Sequence, residues 1–280
     1  MTPSVRITAH FSCAPDSLPP FPAVALKALR VLSGTDSSLR ELCDIVRNDT
    51  AFSAEILRVA NSPLIAFTKE ITSVLQAAML LGFQRLRNLV ITVGLREYLK
   101  DSFAQAMQSS WRHSVACAML AERVAGGVAV DKDFVYSAGI LHDIGRVALA
   151  TRVPDDYARL LAKSEVTPGE LLATELELFG IDHCEAGRQL VLEWELPRQY
   201  EAITSRHHEP FVEADGSMSV IQLSCALADT LGFTVAQRGL ASSYEEVLSK
   251  IPERARKRFP SQAGELAAKI SDEIELIQCT

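Results

Sequence analysis

Five of the six histidines in this chain lie between residues 113 and 208: His113, His142, His183, His207 and His208. Two aspartates accompany them, Asp143 directly after His142 and Asp229 further on among Leu223, Ala226, Leu227 and Leu231. Neutral imidazoles and carboxylates are good ligands for borderline divalent metals such as iron and manganese. Neighbouring side chains on a helix point about 100° apart. The pairs His142-Asp143 and His207-His208 can therefore serve one cavity only if it holds two subsites or receives a helix end. A binuclear metal site bridged by a carboxylate would have that geometry. Taken singly, each residue has an ordinary explanation: a lone histidine is often partly buried without a ligand, and Asp229 could pair with an arginine. The set as a whole points to metal binding. His10 stands apart and receives no role.

The six cysteines, Cys13, Cys43, Cys117, Cys184, Cys225 and Cys279, are scattered and form no C-x-x-C pair. They read as reduced, mostly buried small residues rather than as disulfides or a thiolate zinc site.

Helices must position these residues, because helix signals dominate from Leu18 onward. Ser38-Leu39-Arg40-Glu41 and Thr167-Pro168-Gly169-Glu170 are capping boxes. Asp49 can cap a helix from Thr50 to Val59 that ends at Asn61-Ser62-Pro63, and Asp182 can cap the helix that His183 opens. Ile71 to Leu81 is apolar nearly all round, which predicts a buried helix ended by Gly82, and Arg85 to Leu99 is amphipathic. His113 is expected just before an apolar helix from Val115 to Val124. His142 follows the run Phe134 to Leu141, and His207-His208 close another helix. Trp194 and Pro197 end the helix begun at His183, and Ser217 to Leu231, with Asp229 inside it, is ended by Gly232. Val5 to Phe11 alternates briefly, the sole hint of a strand. The expected fold is all-α, with an N-terminal lobe over 1–105, a metal-binding lobe over 106–245 and a C-terminal helical tail over 246–280.

Composition is that of a globular protein, 48% hydrophobic and 22% charged. No apolar run approaches the roughly 18 residues of a membrane span, and Met1 to Arg6 lacks the pattern of a secretory signal. A cytoplasmic protein without a membrane role is expected. The net charge of -7 is uneven. Residues 1–105 hold 11 Lys/Arg against 9 Asp/Glu, residues 106–245 hold 11 against 20, and residues 246–280 hold 6 against 6. The acidic middle is a poor surface for nucleic acid, and Arg85, Arg87, Arg96 and Lys100 are too few and too spread to reverse that expectation.

Several segments together resemble the HDOD domain: Leu18-Pro19-Pro20-Phe21-Pro22, Asn48 to Ser53, Ile56 to Ser62, Ala77 to Gly82, Gly139 to Arg146, Phe179 to Gly187 and Trp194-Glu195-Leu196-Pro197. The resemblance covers roughly residues 18 to 235. It implies a two-lobed all-helical fold related to the HD metal-dependent phosphohydrolases and used in bacterial signalling. The order of the histidines and aspartates is similar to the ligand order of the HD-GYP cyclic di-nucleotide phosphodiesterases. By that resemblance one ion would take His113, His142, Asp143 and Asp229. A second would share Asp143 and take His183, His207 and His208. Two departures stand out. Met218-Ser219-Val220 occupies the place of Gly-Tyr-Pro, and Arg146 replaces the lysine that usually follows H-D-x-G. Arg is a permanently charged fork where Lys is a tunable point charge, so the exchange is not neutral at a catalytic position.

The resulting expectation is a regulatory signalling module holding one or two ions, iron or manganese, with little or no hydrolase activity. Arg146 could contact a nucleotide or phosphate ligand, and the N-terminal lobe, with Leu18, Phe21 and Val24 among prolines, could dock a signalling partner. The alternative is a metal-dependent phosphohydrolase.

Overall fold

Among the described residues every regular element is a helix, as expected of an all-α chain. The computed structural model describes residues 24–27, 39–61, 71–100, 105–162, 167–194, 196–211, 216–236 and 242–278. The Val5–Phe11 stretch, Leu18, Phe21, Ser38, Cys13, Cys279 and His10 lie outside them. After a helical turn over residues 24–27, the described helices begin with α1 (Leu39–Arg47), α2 (Thr50–Ala60) and α3 (Val74–Lys100). The middle of the chain forms α4 (Gln105–Ala125), α5 (Lys132–Leu141), α6 (Ile144–Arg152), α7 (Pro154–Leu161), α8 (Pro168–Phe179), α9 (His183–Glu193), α10 (Gln199–Arg206) and α11 (Gly216–Thr230). Then follow α12 (Tyr244–Lys250), α13 (Glu253–Arg256) and α14 (Ala263–Gln278).

The helix starts are set by side chains that satisfy exposed backbone N–H groups. Asp49 accepts from the Phe52 amide at 2.9 Å, and Asp182 accepts from the Glu185 amide at 2.8 Å. Thr167 and Glu170 form the reciprocal box, with Pro168 in the first turn. Asn61 ends α2 and ties its end to the start of α3. Its amide donates to the Ile71 carbonyl at 2.8 Å, and its side-chain oxygen accepts from the Ile71 N–H at 2.7 Å.

Two expectations change. The stretch from Ile71 is not buried all round: α3 begins at Val74 and turns Val74, Ala77, Ala78 and Leu81 inward, leaving Leu75, Met79 and Leu80 exposed. Spacing of i, i+3, i+4, i+7 covers one stripe, and apolar residues off that stripe find no neighbour to pack against. At Gly82 the backbone leaves the helical region (φ 78°), so the break falls where glycine carries no Cβ penalty. His113 lies in the middle of α4 rather than before it, because that helix begins at Gln105 and carries the polar Gln108-Ser109-Ser110 through its early turns.

Helix α4 is the axis of the molecule. It packs against α3, α5, α6, α11, α13 and α14, and Val115, Ala116, Cys117, Ala118, Leu120 and Ala121 are wholly or almost wholly buried along it. The N-terminal helices reach it through α3. Thr92 Oγ1 on α3 and the Tyr136 hydroxyl on α5 meet at 3.0 Å inside the shared core. At the other end α14 folds back on α4, where Arg112 donates to the Ser271 hydroxyl at 3.0 Å. Buried apolar residues form one continuous core from Val24 to Ile274.

Glu55 on α2 accepts from Arg58 at 3.0 Å and pairs with Arg96 of α3. Partial burial would raise its carboxyl, but the two guanidinium groups outweigh burial and lower it. A carboxylate with a lowered folded-state pKa stabilises the fold above its unfolded value, and that contribution is lost as pH falls through the folded value. The pair is partly screened by solvent, so Glu55→Gln should cost about 1 kcal/mol at pH 7 and almost nothing near pH 3. Urea unfolding of both chains across that range checks the difference.

Candidate metal centre

The site is built where five helix ends and faces converge. His113 comes from α4, His142 and Asp143 from the turn between α5 and α6, His183 from the first residue of α9, and His207-His208 from the end of α10. Close backbone approach makes this convergence possible. A Cβ on Gly145 would clash with the His183 carbonyl oxygen and the Gly187 amide, so only glycine lets α6 and α9 cross there. A Cβ on Gly139 would press 2.6 Å from Ala118 Cα, which holds α5 tight against α4.

Each of four imidazoles has its Nδ1 committed to a fixed acceptor. His113 Nδ1 donates to the Phe233 carbonyl at 2.7 Å and His142 Nδ1 to the Gly139 carbonyl at 2.7 Å. His183 Nδ1 donates to Glu175 Oε2 at 2.6 Å, and His207 Nδ1 faces the Ile203 and Thr204 carbonyls at 3.1 and 3.2 Å. Carbonyls and carboxylates accept only, so the proton sits on Nδ1 and a neutral ring presents its Nε2 lone pair. Those lone pairs face another acceptor. Asp143 Oδ1 lies 3.4 Å from His183 Nε2 and 3.2 Å from His207 Nε2 but takes part in no hydrogen bond, and neither does His207 Nε2. His208 Nε2 stands 3.1 Å from His183 Nε2.

A buried acceptor left unmatched costs about 1–3 kcal/mol. Here acceptors converge on one point, which is the arrangement that a divalent cation with nitrogen and oxygen ligands satisfies. His142, Asp143 and His207 bring ligand atoms within 4.8 Å of one another, and so do His183, Cys184, His207 and His208. The residues present therefore fit a metal ion.

Asp143 is the charge at the centre. Burial alone would raise its carboxyl, but Arg146, then His142, His207 and His183, hold it well below the usual carboxylate range. Burial also lowers His207, and lowers His208 strongly, which keeps both as neutral ligands. His113 and His142 move upward: burial would lower them, but Cys225 with Asp229 or Asp143 outweighs it.

Arg146, nominated as a possible phosphate contact, is turned to the interior. It is 1% exposed, and its guanidinium donates to Asp143 Oδ2 at 2.7 Å, the Tyr157 hydroxyl at 3.2 Å and Glu175 Oε1 at 3.4 Å. Glu175 went unnoticed in the sequence. It is fully buried on α8 and accepts from the His183 amide at 2.9 Å, the His183 ring and the Tyr157 hydroxyl at 3.0 Å. A signal was available: Leu171, Glu175 and Phe179 follow one another at i+4 spacing on the buried face, so a carboxylate sits in an apolar stripe.

Asp229 is the nominated residue that the structure does not bring into the cluster. Its Oδ1 is 3.8 Å from His113 Nδ1, the nitrogen already turned to Phe233. One helical turn earlier on α11, Cys225 reaches His113 and His142 instead, and the three ligand atoms lie within 4.8 Å of one another. The cysteines are free thiols among the described residues, with Cys43, Cys117 and Cys184 buried. A cavity of about 250 Å³ opens beside the cluster, bordered by His207, His208, Phe211, Cys225, Asp229 and Lys250.

The chain is thus all-helical, with histidines and a buried aspartate gathered at helix ends. This chain belongs to the HDOD domain family, whose model matches residues 18–210. Over 212 residues, 74% of the chain, it is 24% identical to an uncharacterised protein of Treponema pallidum (strain Nichols), and it spans 40% of that protein's length. Among solved structures it is similar to an HDOD domain protein of unknown function from Geobacter sulfurreducens (21% identity, TM-score 0.68, covering 93% of this chain and 91% of that one). It is also similar to a candidate signal transduction protein from Marinobacter aquaeolei VT8 (20%, TM-score 0.72, 93% and 59%). A third, a candidate phosphohydrolase from Shewanella amazonensis SB2B, matches at 22% identity with TM-score 0.66, over 94% and 95%. At these identities the likeness is one of fold. No described helix is long and apolar enough to cross a membrane.

Glu175 is a support for both Arg146 and His183, which makes its removal informative. Glu175→Ala leaves a buried guanidinium short of a partner, for which about 3–5 kcal/mol of lost stability is expected. Loss of the carboxylate behind His183 should also weaken metal binding about 10–100-fold. Chemical denaturation and metal titration of the variant measure the two effects separately.

Proposed function

We propose that this protein is a metal-binding signalling module of the HDOD family that hydrolyses phosphodiesters slowly or not at all. The observation that carries the reading is the set of imidazoles with Nδ1 committed to fixed acceptors, of which His183 and His207 turn Nε2 toward Asp143 Oδ1 and His142 toward Oδ2. His183, His207 and His208 with Asp143 would hold one ion, iron or manganese, and His142 and His113 stand beside them for a second. The chemistry a bound ion supplies is Lewis-acid polarisation of an anionic oxygen. The protein's own part is to orient the imidazoles, to keep His207 and His208 neutral, and to hold Asp143 ionised.

Three features support binding without turnover. Asp143 Oδ2 accepts from Arg146 and stands 3.7 Å from His142 Nε2, so Oδ1 is the oxygen left without a hydrogen bond. Arg146 is committed inward and cannot stabilise charge developing on a substrate phosphate. Met218, Ser219 and Val220 are buried within α11, where the HD-GYP pattern would place a substrate-side loop. The cavity of about 250 Å³ is also smaller than the roughly 300–1,000 Å³ typical of small-molecule sites, so a phosphate-sized anion suits it better than a cyclic di-nucleotide. Lys250 at its edge is a suitable contact for such an anion.

The N-terminal lobe is the proposed seat of a protein partner, supported by the apolar Leu75, Met79 and Leu80 exposed on α3. Cytoplasmic residence and a role without nucleic acid or membrane belong to the same proposal. The second reading, a metal-dependent phosphohydrolase or cyclic di-nucleotide phosphodiesterase, is favoured by the cavity's position against His207 and His208.

Elemental analysis of the full chain should find one or two ions of iron or manganese, and Asp143→Ala should lower the content more than any other single change. A chain that holds essentially no metal even after reconstitution would overturn the metal reading. Loaded anaerobically and given cyclic di-GMP or simpler phosphodiesters, the protein should turn over more slowly than about one per second; faster hydrolysis would make the enzyme reading correct.

A further inference from the structure

We propose that Cys225 is a thiolate ligand of a second metal subsite, completed by His113 and His142, at the place for which the sequence nominates Asp229. The inference rests on the metal-binding reading and says which residues hold the second ion. Three donors come from three separate elements: the middle of α4, the end of α5 and the middle of α11. Their ligand atoms lie within 4.8 Å of one another although the residues are far apart in sequence. Both imidazoles are prepared for it. Their Nδ1 protons are fixed on the carbonyls of Phe233 and Gly139 at 2.7 Å, so each presents Nε2, and the rings stand 5.3 Å apart at a 52° tilt.

Asp229 cannot take the same place in this arrangement, because its carboxylate approaches His113 from the Nδ1 side. Cys225 and Asp229 are four residues apart on one face of α11, so a single turn decides which of them meets the Nε2 atoms. The helix is held in register by its neighbours: α11 packs on α4 and α5, and Ile221, Leu227 and Ala228 are fully buried. Cys225 also borders the cavity, so three protein donors leave a side open to a small ligand, the pattern of reactive rather than purely structural sites. A thiolate is a soft donor and selects iron, cobalt or zinc over manganese and magnesium. Cys117 Sγ lies 3.5 Å from Cys225 Sγ but does not belong to the cluster, and Cys184 belongs to the cluster of His183, His207 and His208. Cys117 serves as an internal control, and Cys184 is the competing sulfur that the test must separate from Cys225.

The test is titration of the reduced, full-length chain with cobalt(II), which reports a sulfur ligand through a near-ultraviolet charge-transfer band and counts ions independently. The wild-type chain should show the band and bind two ions. Cys225→Ser should lose the band and one ion while its circular dichroism stays that of the wild type. Cys117→Ser should keep both, and Cys184→Ser, which removes the other thiol near the histidines, should keep the band. Cobalt bound with visible ligand-field bands but without a sulfur band would overturn the Cys225 assignment and leave the metal-binding reading standing. So would a band that survives Cys225→Ser or disappears in Cys184→Ser. Should Cys225→Ser fail to fold, the wild-type spectrum together with those of Cys117→Ser and Cys184→Ser still decides whether the sulfur band comes from Cys225. Absence of cobalt binding altogether would overturn both readings.

Discussion

The structure depends on keeping one negative charge, Asp143, in its interior. An unpaired buried carboxylate is too costly to persist, so the surrounding chain must supply positive charge and donors. Arg146, one turn later, supplies the charge, and it needs partners of its own because it is itself 1% exposed. Glu175 and Tyr157 provide them, and Glu175 also grips both the backbone and the ring of His183. One guanidinium therefore stands against two carboxylates, and the excess negative charge faces the imidazoles. That imbalance gives the site its appetite for a cation.

The same network explains why the arginine is not a stand-in for a catalytic lysine. A flexible ammonium group could leave its carboxylate and meet a substrate. A planar guanidinium joined to Asp143 and Glu175, with Tyr157 beside it, is fixed in place. Its presence turns a residue at a potential substrate position into part of the scaffold. On the proposed reading, the cluster's donors serve to hold metal and Arg146 serves to hold Asp143 and Glu175 in place.

Positioning falls to backbone geometry as much as to side chains. Gly145 lets α6 and α9 touch, which places the first residue of α9 directly against the His142-Asp143 turn. Helix α4 spans the molecule from the N-terminal helices to α14, and His113 lies on it among residues with almost no exposure. A ligand or partner that shifts α4 would therefore move His113, a proposed metal ligand, a physical route by which the two ends of the chain can be coupled.

Much of this was readable in the amino-acid order. Asp49, Thr167 with Glu170, and Asp182 announce their helices because capping is local chemistry, decided within three or four residues. Gly82 marks the break in α3 for the same reason. The spacing of His142-Asp143, His183 and His207-His208, together with the HDOD-like segments, was enough to nominate a metal centre. Tertiary structure alone decided the rest. Whether Leu75 and Met79 are buried depends on whether a neighbour covers their side of the helix, and whether Arg146 faces solvent or Glu175 depends on how α8 packs on α9. Cys225 and Asp229 have the same helical phase and similar apolar neighbours in sequence. Only the docking of α11 on α4 and α5 turns the thiol, and not the carboxylate, toward the open nitrogens of His113 and His142.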